Sequence, residues 1–82
     1  METRTIRYAK VRFQEPDGKK RTVLLENIKT GNKFVVGREV NNEGSPIAPR
    51  NADERIRAIH KDAILSIDPL RQNLKYGTLE PA

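Results

Sequence analysis

The chain has 82 residues, of which 35% are apolar and 33% charged, with a net charge of +5. That length fits one domain with a thin core, because a chain this short buries only roughly 60–65% of the surface it exposes when unfolded. No cysteine is present, which excludes disulfides, thiolate metal sites and cysteine nucleophiles. No apolar run approaches the roughly 20 residues that span a bilayer, and "METRTIRYAK" lacks the apolar segment of a secretory signal. A soluble, cytoplasmic chain with no membrane association and no small-molecule cofactor is expected.

The apolar residues cluster in short runs, "TVLLENI" and "KFVV", which points to a folded chain despite its high charge. "RTIRYAKVRFQ" alternates, with Ala9, Val11 and Phe13 on one face and Tyr8, Lys10 and Arg12 on the other, the pattern of a half-buried strand. "EPDGKK" follows as a turn. Pro16 presets φ, Asp17 caps, and Gly18 accepts positive φ. "RTVLLENI" reads as a second strand, "KTGNK" as a second turn and "KFVVGREV" as a third strand. Gly37 inside that strand suggests a bulge or bend. "NNEGSPIAPRN" then reads as an irregular, exposed loop.

"NADERIRAIHKDAIL" admits two readings. As a helix, Asn51 caps it, Glu54 completes a capping box, and Ile56, Ile59, Ala63, Ile64 and Ile67 share a face. As strand, bend and strand, "RIRAI" and "AILSI" flank a tight "HKD" and the second strand ends at Asp68-Pro69. The β-branched isoleucines favour extension. So does the first half, because a three-stranded meander leaves open edges and an uncovered face. In the tail, Leu70, Leu74, Tyr76 and Leu79 read as packing residues, and Gly77 and Pro81 mark a loose ending.

The expected fold is mainly β: a small antiparallel, partly open SH3-like barrel of five short strands. It forms a single domain over 1–82, with an irregular loop at about 41–54 and loosely ordered ends. The alternative is α+β, a three-stranded antiparallel sheet plus one helix at about 52–66. The SH3-like comparison is one of shape, and a shape shared by many functions licenses none of them.

Chemistry has few candidates. His60 is the single imidazole, and Asp53, Glu54 and Asp62 near it match no metal-ligand spacing. Ser45 and Ser66 lie in no nucleophile elbow, and Gly31, Gly37 and Gly44 form no phosphate loop. A small basic ribonuclease can work with one histidine, a carboxylate and several cations, but nothing in the spacing fixes that geometry. No enzyme is expected.

Charge is more informative. Residues 3–21 hold seven bases against two acids, which accounts for the whole net excess. Tyr8, Lys10 and Arg12 share the predicted outer face of the first strand, and Lys19, Lys20 and Arg21 extend the patch across the first turn. An aromatic among bases on an open sheet face suits base stacking and phosphate contact. The leading expectation is a non-enzymatic module binding nucleic acid through these six residues. A solubilising surface is the plain alternative for the charge. The alternative function is a protein-interaction or regulatory domain, meeting a protein partner or a second copy through an edge strand or the 41–54 loop.

Overall fold

The computed structural model of the chain describes residues 7–47 and 56–82. Six strands form one antiparallel sheet: β1 (Tyr8–Gln14), β2 (Lys20–Thr30), β3 (Phe34–Glu39), β4 (Ile56–His60), β5 (Ile64–Gln72) and β6 (Leu79–Pro81). Their order across the sheet is β4-β3-β2-β1-β5-β6.

The first hairpin is built by its turn chemistry. The Gly18 N–H donates to Glu15 O at 2.9 Å, the Glu15 N–H donates to Lys19 O at 2.8 Å, and Gly18 takes φ +89°. This is a turn of type I character closed by a glycine in the left-handed region, the geometry of a short bulged hairpin loop. Asp17 Oδ1 accepts the Lys19 N–H at 2.9 Å, the capping role its sequence position suggests.

The bulge expected at Gly37 lies on the neighbouring strand. Glu26 pairs with Arg38 and Lys29 with Val36, so Asn27 and Ile28 together face the single residue Gly37. Asn27 takes φ +53° and its N–H donates to Arg7 O at 2.8 Å. Asparagine tolerates that conformation because its side chain is short and polar. Gly37 serves a different purpose: a Cβ there would stand 2.9 Å from Leu25 Cβ and 3.2 Å from Glu26 O. Its bare backbone lets β2 and β3 approach over the core.

"NADERIRAIHKDAIL" resolves as extended structure over its described part. Ile56–His60 is strand, Lys61–Ala63 is one 3₁₀ turn, and Ile64 begins the next strand. The helical alternative at 52–66 is overturned over 56–66, while 52–55 lie outside the described residues. The cause is tertiary: Val35 pairs with Ile59 and Phe13 with Ile64, so each isoleucine gains a β partner that a lone helix would not offer.

This short turn forces the sheet to curl. In a flat sheet β4 and β5 would stand about 19 Å apart, four strand spacings. Three residues of 3₁₀ turn rise only about 6 Å. The sheet therefore bends until β4 comes round toward the start of β5, but among the described residues β4 and β6 remain its two ends and it does not close.

Five expected strands become six. The second strand of the pair does not stop at Asp68-Pro69; β5 continues to Gln72. Pro69 is tolerated because its carbonyl accepts from Ala82 N–H at 3.1 Å. Its missing N–H therefore also points toward the β6 side, and no bond to β1 is lost. Asn73 then turns the chain, its Oδ1 accepting from the N–H groups of Lys75 and Tyr76, and β6 pairs back on β5. The tail is thus a hairpin arm and not a loose ending. Leu74 and Tyr76 stand at its tip, exposed, and do not pack; Leu70 and Leu79 are half-buried.

The core lies on one face: Val11, Val23, Leu25 and Ile59, with Phe13, Ile28 and Ile64 packed against it. Ala9 and Val35 are buried as well. Each fully buried aliphatic side chain contributes about 1.5–3 kcal/mol relative to exposure. Tyr8 and Val40 are also buried, yet belong to the opposite face. There the 41–47 segment, bridged between Val40 and Pro46, folds back over Tyr8. Residues 48–54 of the expected loop, and residues 1–6, lie outside the described part.

Candidate nucleic-acid interface

In an unbulged antiparallel ladder, directly opposed residues point to the same face. Register therefore assigns each candidate. Lys10 and Arg12 share the face opposite the core, and Lys20, opposed to Gln14, joins them. Arg21 does not. It pairs with Phe13 on the core face, and its Nη1 binds Glu15 Oε1 at 2.8 Å. The hydrogen bond and charge of Glu15 raise the Arg21 guanidinium further above its ordinary value. The expected six-residue patch loses Arg21 because strand alternation sends neighbouring side chains to opposite faces.

Tyr8 is corrected too. It points to the expected face, but it is only 6% exposed. A Cβ on Gly44 would meet the Tyr8 ring at 3.1 Å, so the loop lies directly over the aromatic. Gly44 takes φ +79°, which the tight Asn41–Ser45 turn requires. The Arg7 guanidinium stands 5.4 Å from the ring centroid. A ring covered this way offers no face to a base.

The basic residues divide along β1. At the Tyr8 end, Glu26 and Leu70 flank the ring. In the middle, Lys10 sits between Leu24 and Asp68, so an acidic residue shares its row on this face. At the far end Arg12 sits between Thr22 and Ser66, with Lys20 and Gln14 in the next row. This end combines a guanidinium, an ammonium, two hydroxyls and an amide on an open surface. Among the described residues, Lys10, Arg12, Lys19 and Lys20 form no ion pair. Lys19 stands in the exposed turn beside them.

Nothing in the sequence marks Thr22 or Ser66 as part of this surface. Only the pairing of β1 with β2 and β5 brings them beside Arg12, and no local signal in the chain carries that register.

His60 closes β4. Its Nδ1 accepts the Asp62 N–H at 3.2 Å, and its ring meets Phe34 edge-on at 5.2 Å between centroids. The Asp62 carboxylate stands 3.6 Å from the same atom. The hydrogen bond caps the 61–63 turn. Among the described residues no three His, Asp or Glu side chains gather as a metal site. Asp53 and Glu54 lie outside the described residues. Ser66 neighbours Arg12 and not His60, whose cross-strand partner is Phe34.

Among the described residues no helix is long and apolar enough to cross a membrane. No family model, curated protein or solved structure matches this chain.

Proposed function

We propose that this protein is a non-enzymatic basic module that grips nucleic-acid phosphates on the sheet face opposite its core. The observation that carries the reading is the row Thr22–Arg12–Ser66 with Lys20 and Gln14 beside it. A guanidinium presents a planar donor fork to a phosphate, and flanking hydroxyls supply further donors without competing charge. Arg12, Lys20 and Lys19 make the principal contacts. Lys10 contributes less because Asp68 shares its row. With Tyr8 covered, binding rests on the backbone and reads no bases. The strand order, with a 3₁₀ corner between β4 and β5, supports an SH3-like description of the curl. A reducing cytoplasm suits a chain without cysteine.

The test is fluorescence anisotropy with labelled single- and double-stranded DNA and RNA at several salt concentrations. Two or three phosphate contacts give a log–log salt slope of about −2 to −3 on duplex DNA. Reversing Lys10, Arg12, Lys19 and Lys20 to Glu should remove binding and leave the fold intact. Unchanged binding by that variant rules out this face.

A further inference from the structure

A groove lies between β4 and the first hairpin, where the curled sheet leaves its ends apart. One wall is β4 and the following turn, contributing Ala58, Ile59, His60 and Ala63. The other is the end of the first hairpin, contributing Phe13, Gln14, Glu15 and Pro16, with Glu15 held by Arg21 at 2.8 Å. A second, independent observation falls in the same place. The Lys61 N–H donates to Lys33 O, and Val35 opposes Ile59. In an antiparallel ladder the bonded pairs alternate, so residues 57, 59 and 61 turn their backbone groups toward β3. Ile56, Ala58 and His60 therefore turn theirs outward. Among the described residues β4 pairs with β3 alone. An unpaired strand edge thus lines a mostly apolar groove.

The form of the groove selects its occupant. Because Phe13 and Pro16 wall the groove opposite β4, an occupant paired with β4 has the hairpin on its far side. A single extended strand fits that description, whereas the edge of another sheet brings its own neighbours with it. Charge gives a direction. At the His60 end the backbones of Lys33 and Lys61 are hydrogen-bonded, both side chains are exposed, and neither forms an ion pair among the described residues.

We propose that this seam takes up one extended peptide segment, apolar at alternate positions and acidic at one end, which adds to β4 as a further strand. Its backbone pairs with Ala58, alternate side chains enter against Phe13, Pro16, Ile59 and Ala63, and its carboxylates meet Lys33 and Lys61. Augmentation of this kind draws affinity from main-chain bonds and selectivity from alternate side chains. It is independent of the phosphate-binding face.

The test titrates the ¹⁵N-labelled full chain with the capped peptide Thr-Val-Thr-Val-Thr-Val-Glu-Glu and, separately, its reversed sequence. Saturable shifts centred on the amides of Ala58, Ile59 and His60 are expected for one of the two orders, which also gives the strand direction. Ala58→Pro removes an outward donor without breaking the β3 ladder and should weaken binding at least about tenfold. Lys33→Glu with Lys61→Glu should weaken it several-fold. Nucleic-acid binding should be unchanged in all three. Should Ala58→Pro fail to fold, Ala63→Glu fills the groove without touching the ladder and carries the same expectation. Absence of shifts with both peptides at about millimolar concentration, or shifts centred elsewhere, overturns the proposal. So does concentration-dependent dimerisation that Ala58→Pro abolishes, which would give the edge to a second copy.

Discussion

The two ends of this sheet meet the same problem in different ways. Among the described residues, both β4 and β6 have an edge with no further strand beside it. β6 is blunted by three devices: it is three residues long, it contains Pro81, and its Leu79 N–H donates to Asn42 O at 2.6 Å. Gln72 reinforces this closure, since its Nε2 donates to Glu43 O at 3.0 Å. The 41–47 segment therefore seals the β6 edge while lying over Tyr8. β4 is longer, has no proline, and among the described residues presents three outward-facing backbone positions. Edges left unblunted are pairing sites. Among the described residues, one end of the sheet is thus sealed by its own chain and the other presents an unpaired backbone edge.

Proline substitutions break the comparison most sharply. Ile59→Pro removes a ladder bond to β3 and a buried side chain, and should cost more than about 3 kcal/mol by urea unfolding. Ala58→Pro, one residue away, should cost no more than about 1 kcal/mol, because its N–H has no ladder partner. Equal losses would mean that the two backbone orientations are reversed. At the other end, Tyr8→Ala should cost about 3 kcal/mol and speed hydrogen exchange at Leu79, as the loop loses the ring it rests on. An unchanged Leu79 rate would separate the seal on β6 from the burial of Tyr8. Smaller still, Gly37→Ala should cost about 1–3 kcal/mol by crowding Leu25. The β4 amides, which depend on the position of β3, should then exchange faster than those of β6.

How much of this was legible in the chain varies by element. The first hairpin was readable because Pro16, Asp17 and Gly18 act within a few residues of one another. Alternation placed Val11 and Phe13 inward and Arg12 outward. The same alternation separates Arg21 from Lys20, yet a cluster of like charges in sequence reads as one patch until register divides it. Alternation also puts Tyr8 on the correct face, but its cover comes from a segment more than thirty residues away. Leu74 and Tyr76 resemble core residues by type. Their exposure follows from Asn73, which holds them at a tip where no other element reaches.

Composition and local pattern by themselves determined a small, basic, mainly β chain without thiol chemistry, with its excess charge in the first quarter. These properties depend on side-chain type, strand periodicity and turn geometry, all of which act over a few residues. Tertiary structure decided that 56–66 is extended, that the tail supplies a sixth strand, that Arg12 lies between two hydroxyls, and that one edge is sealed while the other lines a groove. Each depends on which distant backbone supplies the hydrogen-bond partner. Short, β-branched segments are close enough in energy as helix or strand for that partner to decide.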